Sequence, residues 1–151
     1  MKLPALVLQQ FRDFGKAGGH ARAQRLPEST RRHIARLGAV VRWTRERFGE
    51  RHFAELGLPG AELIDKGLRD VASEVESVEG LLVAIAATRL RREGVPVPAI
   101  AWPDPELRCY RRLEEEYGEM AHARYCALLQ QLRSFADACP LARKVRRRDA
   151  K

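Results

Sequence analysis

The chain has 151 residues and a mass of 17.1 kDa, room for one compact domain or a small domain with an extended arm. Apolar residues make up 45% and charged residues 32%, with 28 Lys and Arg against 20 Asp and Glu, a net charge of +8 and a pI near 10.0. No run approaches the ~18 consecutive apolar residues of a membrane span, and Leu3 to Leu8, cut off by Phe11-Arg12-Asp13, is too short for a secretory leader.

The charge is unevenly placed. Residues 1–58 carry 12 basic and 5 acidic side chains, a balance of +7; residues 59–139 carry 10 and 14, a balance of −4; residues 140–151 carry 6 and 1, a balance of +5. Basic ends around an acidic middle point to two surfaces with different partners, or to two ends aimed at one polyanion. Accumulation of basic residues at solvated termini is the simpler alternative. Cys109, Cys126 and Cys139 are an odd, unclustered set, which argues against a disulfide framework and for a reducing cytosol.

In chain order, nearly everything reads as helix. Pro4 sits in the first turn of a helix from about residue 3 to residue 14, where its missing N–H costs nothing. Gly15 is read as its stop, with Lys16-Ala17-Gly18-Gly19-His20 a flexible loop whose glycine N–H groups approach a phosphate. A second helix starts at Pro27-Glu28-Ser29 and runs to Phe48, ended by Gly49. Pro59-Gly60 opens a third, residues 61–72, and Ser77 caps a fourth, residues 78–92, closed by Gly94.

Residues 95–103, Val-Pro-Val-Pro-Ala-Ile-Ala-Trp-Pro, cannot be helix and are predicted as an extended strap laid on the helices, since Val95, Val97, Ile100 and Trp102 are too apolar for a free linker. Asp104-Pro105-Glu106 supplies an N-cap acceptor, a first-turn proline and an acid at the positive helix end, starting a fifth helix that runs to Tyr117 and Gly118. A sixth spans 119–139 and stops at Pro140. Its residues Ala121, Tyr125, Leu128, Leu132, Phe135 and Cys139 follow steps of four and three, a packing seam. The fourth helix, with Val78, Leu81, Leu82, Ile85 and Leu90, is its expected core partner; a homodimer through the same seam is the alternative. The prediction is therefore an all-α protein: a basic helical arm (1–58), a helical bundle core with its strap (59–139) and a basic tail (140–151).

The second helix carries the functional signal. On a wheel at about 100° per residue with Arg31 as origin, Ile34, Leu37, Val41, Thr44 and Phe48 fall between about 220° and 300°, a core-facing stripe. Arg31, Arg32, Arg36, Arg42 and Arg47 fall between about 0° and 160°, with Trp43 among them near 120°. Guanidinium matches phosphate geometry, and an indole stacks on a base or on a guanidinium. Lys16, Arg22 and Arg25 extend the strip upstream. A plain solvated face and a dock for an acidic protein are the competing readings.

Phe14-Gly15-Lys16-Ala17-Gly18-Gly19-His20-Ala21-Arg22-Ala23, followed by Leu26, Arg32, Ile34-Ala35-Arg36 and Arg42-Trp43, resembles a segment of short basic bacterial proteins of unassigned function. The likeness covers residues 14–43. It implies a bacterial source and DNA association, and it brings no catalytic residues. His20 stands where a basic residue is usual, and Val40-Val41 replace small ones.

Enzymatic signals are thin. Glu119 and His122 sit at i, i+3 as in carboxylate-bridged di-metal bundles, but no second Glu-x-x-His exists. Arg47 and His52 have the Arg-x4-His spacing of a family of helical RNases and resemble it in spacing alone, since Phe48 and Gly49 break the pattern. Ser29, Ser73, Ser77 and Ser134 lack neighbouring His–acid partners, the cysteines and histidines show no zinc spacing, and no phosphate-binding loop is present. Cys126 and Cys139 are read as small core residues, and Glu114-Glu115-Glu116 with Glu119 as a solvated face that could meet basic residues. No catalytic residue, metal or cofactor is called for.

The leading expectation is a cytoplasmic, DNA-associated regulatory protein, with DNA favoured over RNA. Arg31, Arg32, Arg36 and Arg42 would contact phosphates, Trp43 would stack, and Arg146, Arg147 and Arg148 would add an electrostatic contact. The alternative is a protein-interaction module, such as an antitoxin or phage-defence partner, whose basic arm covers an acidic protein.

Overall fold

Among the described residues the regular elements are all helical. The computed structural model describes residues 5–48 and 51–149, with the side chains of residues 5, 8, 22, 23 and 143–149 outside that set. The helices are α1 (Ala5–Arg25), α2 (Glu28–Phe48), α3 (Ala61–Ser73), α4 (Val78–Ile85), α5 (Ala87–Arg92), α6 (Pro105–Tyr117) and α7 (Ala121–Asp149), with 3-10 turns at Phe53–Leu56 and Gly118–Met120. The all-α expectation holds. The chain divides into two compact units, residues 1–35 and 36–151, and the boundary falls inside α2.

The first unit corrects the predicted loop at residues 16–20. Helix α1 runs through Gly15, Gly18 and Gly19 to Arg25. A glycine inside a helix costs about 1 kcal/mol relative to alanine but leaves helical dihedrals open, and Arg12, Lys16, Ala17, Ala21 and Gln24 are good helix formers. The stop comes instead before Pro27, which disfavours helical geometry at Leu26. The Gly18 and Gly19 N–H groups thus belong to a helix rather than to a phosphate-cradling loop.

In the second unit α4 lies at the centre. Leu81, Leu82 and Val83 are wholly buried, packed mainly between α3 and α6, while α7 packs chiefly on α6 rather than on α4 as expected. The predicted seam of the last helix is nevertheless real: Ala121, Leu128, Leu132, Phe135 and Cys139 are buried and Tyr125 half-buried. It is filled within the unit, so it offers nothing to a second copy. Phe48, Phe53 and Phe135 form an edge-to-face chain with ring separations of 4.9 and 5.1 Å. Asp65 on α3 fixes the middle ring in place by accepting from the Phe53 and Ala54 N–H groups at 3.0 and 2.9 Å.

Ser77 caps α4 as the sequence indicated, its hydroxyl accepting from Gly80 N–H at 2.9 Å and donating to Asp70 at 2.6 Å. The predicted single fourth helix turns at Ala86 (φ −90°, ψ 4°), which divides it into α4 and α5 and leaves Leu90 fully buried beyond the turn. The strap lies on the core as expected. Val95 is buried, and Val97, Ile100 and Trp102 pack against the helices. Trp102 lies over Gly80, where an added Cβ would come within 3.2 Å of the indole. Arg91 holds the strap by donating to the Pro98 carbonyl at 2.9 Å.

Two helix ends differ from prediction. Asp104 sits in the left-handed region (φ 47°), which aspartate tolerates, and its carboxylate makes no cap bond; Pro105 still opens α6. Helix α7 starts at Ala121 after a 3-10 turn and continues through Pro140 to Asp149. A proline removes one backbone bond, and Ala138, Leu141 and Ala142 around it favour helix enough to carry the chain on. The tail is therefore helical in its backbone as far as Asp149.

Ion pairs tie the loops to the helices. Glu76 joins the α3–α4 loop to α6 through Arg108 at 2.7 Å and Arg112 at 3.4 Å, and Lys66 on α3 meets Glu79 on α4 at 2.7 Å. The bond from Arg108 holds the Glu76 carboxyl below the usual carboxylate range, with Arg112 adding to it against a smaller opposing effect of burial. For Glu79, burial pushes the carboxyl up, but the bond from Lys66 and local hydrogen bonds prevail and its pKa falls. A carboxyl depressed by folding stabilises the fold above its unfolded pKa and loses that contribution as pH falls through its folded one. The denaturant midpoint of the native chain should therefore exceed that of Glu76→Gln at pH 7, and the gap should close as pH is lowered below about 4. A gap independent of pH would contradict the pairing.

Candidate nucleic-acid interface

Within the second unit, α2 presents its water-facing side through Arg42, Trp43, Arg45 and Arg47. The stripe opposite holds it to the core: Thr44 and Phe48 are buried, and Leu37, Val40 and Val41 are half-buried. The buried Thr44 hydroxyl is satisfied by donating to the Val40 carbonyl at 2.9 Å. Trp43 is 44% exposed, and the Arg47 guanidinium lies 5.1 Å from its ring centroid, the i, i+4 neighbour relation of a helix. Arg47 also reaches the Gly94 carbonyl at 3.4 Å. Arg42 forms no ion pair among the described residues.

The predicted arginines are not equivalent. Arg36 is half-buried and paired with Glu74 across to the end of α3. In the first unit, Arg32 pairs with Glu28 one turn earlier at 2.5 Å, whereas Arg31 is exposed, as are Lys16 and Arg25 on α1. Ile34, assigned to the core stripe, is 45% exposed. The side chains of Arg22, Arg146, Arg147 and Arg148 lie outside the described residues. Arg45 was missed by the wheel because it falls at the edge of the apolar stripe; its position three residues after Arg42, beside it on the helix surface, could have marked it.

These pairings hold their arginines only loosely. The Arg32–Glu28 pair is well exposed and the Arg36–Glu74 pair is partly exposed, and solvent-facing pairs of this kind are worth about 0–1 kcal/mol. Glu114, Glu115 and Glu116 are exposed, and no ion pair links them to α2 among the described residues.

The other candidate groups assemble no site. His122 Nε2 is 3.7 Å from the Cys126 thiol and Glu119 is exposed in the preceding turn, and no cluster of His, Cys, Asp and Glu able to hold a metal forms among the described residues. Cys126 is exposed rather than in the core, while Cys139 is buried as expected; burial pushes the Cys109 thiol up to about 11, leaving it an inert core thiol. His52 precedes the 3-10 turn and is exposed, while Arg47 is engaged with Trp43 and Gly94.

A second surface is an open cleft of about 960 Å³ between the turn before α3, the α3–α4 loop, α6 and α7. Lys66, Glu76, Glu79, Glu116, Arg124 and Tyr117 line it, with both signs of charge and Arg124 stacked 5.7 Å over Tyr117. No helix among the described residues is long and apolar enough to cross a membrane. No protein-family model, curated protein or solved structure matches this chain.

Proposed function

We propose that the protein binds nucleic acid, DNA in preference to RNA, through the phosphate backbone, with Arg42 and Arg45 as principal contacts and Trp43 as a stacking surface braced by Arg47. Lys16, Arg25 and Arg31 are phosphate contacts of the first unit by itself, and in the second unit Arg36 adds one by exchanging Glu74 for phosphate. The single observation that carries the reading is an exposed Arg42, with no ion pair among the described residues, beside a tryptophan that is 44% exposed on the outer side of a helix anchored by Thr44 and Phe48. Base-specific recognition is not part of the proposal.

Binding of a labelled duplex should weaken linearly in log affinity against log salt, with a slope of about −0.9 per phosphate contacted. Arg42→Glu with Arg45→Glu should lower affinity by more than about tenfold and flatten the slope by about 2. Both side chains are exposed, so folding is unaffected and thermal unfolding should show it. An unchanged affinity and slope in that variant would falsify the assignment of this face.

A second reading, an interaction module of the antitoxin or phage-defence kind, draws on the mixed-charge cleft and on the fact that Arg32, Arg36 and Arg47 already bind acceptors of this chain. Capture from native cells with and without nuclease separates the two. Partners lost on nuclease treatment favour nucleic acid; a stoichiometric protein that survives it favours the second reading.

A further inference from the structure

Val7, Phe11, Phe14, Gly18, Ala21 and Arg25 follow alternating steps of four and three along α1, the spacing of a helix seam that meets another helix. That seam is uncovered: Phe11 is 64% and Phe14 75% exposed. Gln9, Arg12, Asp13, Lys16 and His20 fall outside it. Residue size along the seam is polarised, with large side chains in the first half and Gly18 and Ala21 in the second, and a Cβ placed on Gly18 would meet nothing within 4 Å.

We propose that α1 is a self-association element in which two copies of this chain pair antiparallel, Phe14 of one copy against Gly18 of the other and Phe11 against Ala21. One register satisfies the whole seam. With the helices crossing at Lys16, the same alignment also sets Val7 against the aliphatic stem of Arg25, whose charged head reaches water at the end of the pair. A parallel pair instead sets phenylalanine against phenylalanine and leaves Gly18 and Ala21 facing across a gap. Gly15 and Ala17 flank the seam on either side of the crossing point and let the two backbones approach closely there.

A second copy is the occupant that explains the polarity, because one sequence then supplies both the large half and the small half. The overlap of residues 7–25 is about 27 Å long. At their present exposure the four phenylalanine rings of a pair would remove roughly 600 Å² from water, and Val7, Ala21 and the Arg25 stems bring the total toward about 1,000 Å². That is the low end for a specific interface, so the pairing should depend on concentration in the micromolar range. Arg25 is the one residue the seam shares with the proposed phosphate contacts, while Arg42, Trp43 and Arg45, the principal contacts, lie outside it on α2, so either reading can fail alone.

Sedimentation equilibrium of the full chain between roughly 1 and 300 µM should give a monomer–dimer equilibrium. Phe11→Ser with Phe14→Ser should weaken it at least about tenfold and leave the thermal unfolding of the second unit unchanged. Orientation is read by cross-linking in a Cys126→Ser background. Positions 11 and 21 are about 15 Å apart along one helix, too far for a bridge within a copy. With oxidised glutathione as oxidant, F11C A21C should therefore close a covalent dimer, and F11C alone should not. A monomer at all concentrations, a dimer indifferent to the Phe11 and Phe14 changes, or a covalent dimer from F11C alone would overturn the proposal.

Discussion

Phe135→Ala should lower the stability of the second unit by about 4 kcal/mol, the largest effect expected of any single truncation in the core. The side chain is wholly buried and stands edge-to-face with Phe53, which in turn meets Phe48. Three losses add: transfer of the ring from water, a cavity the surrounding helices cannot close, and the aromatic contact itself. For a chain of this size about 3 °C of melting temperature accompanies each kcal/mol, so a fall of about 12 °C is expected, with a matching shift of the urea midpoint at constant slope. Phe135→Leu should recover more than half of it. A double-mutant cycle with Phe53→Leu should return a coupling of about 1 kcal/mol; additivity would mean that the rings are neighbours without being partners.

Gly67→Ala sets two effects of opposite sign against each other. Alanine in place of a helical glycine should stabilise by about 1 kcal/mol through propensity alone. Yet a Cβ on Gly67 would lie 2.5 Å from Val83 Cγ2 and closer still to the Glu79 carbonyl oxygen, so α3 and α4 must part to admit it. Overpacking of this kind costs about 1–3 kcal/mol and more when backbone must move. The clash should win, with a net loss of about 2 kcal/mol and a melting temperature lower by about 6 °C. A variant as stable as the native chain would show that the α3–α4 contact is looser than its geometry states.

What the sequence disclosed and what it hid have separate physical causes. Ser77, the strap and the seam of α7 were legible because each depends on local chemistry or on a strong period: a hydroxyl at an N-cap, prolines that forbid helix, apolar residues at steps of four and three. Helix ends were read less well. Gly15, Gly18, Gly19 and Pro140 each carry a helix penalty, and such a penalty is a poor stop signal when good helix formers stand on both sides. Asp104 shows the converse, since a residue suited to capping adopts φ 47° and caps nothing.

The candidate interface was half legible. A helical wheel sorts residues by angle, so it found Arg42 and Trp43 on the outer side of α2 and Thr44 and Phe48 on the inner. It could not show that Glu74, thirty-eight residues away in sequence, meets Arg36, because that pairing depends on where α3 ends. Nor could it show that Arg47 lies on the Trp43 ring rather than in solvent, which is a choice among rotamers.

The position of α4 governs how the second unit can come apart. An eight-residue helix is far too short to persist alone, and Leu81, Leu82 and Val83 have apolar neighbours only while α3 and α6 remain in place. Peeling either of those away strips the middle of its shelter, so the layers should dissolve together, and the amides of α4 should exchange with deuterium only through whole-unit opening.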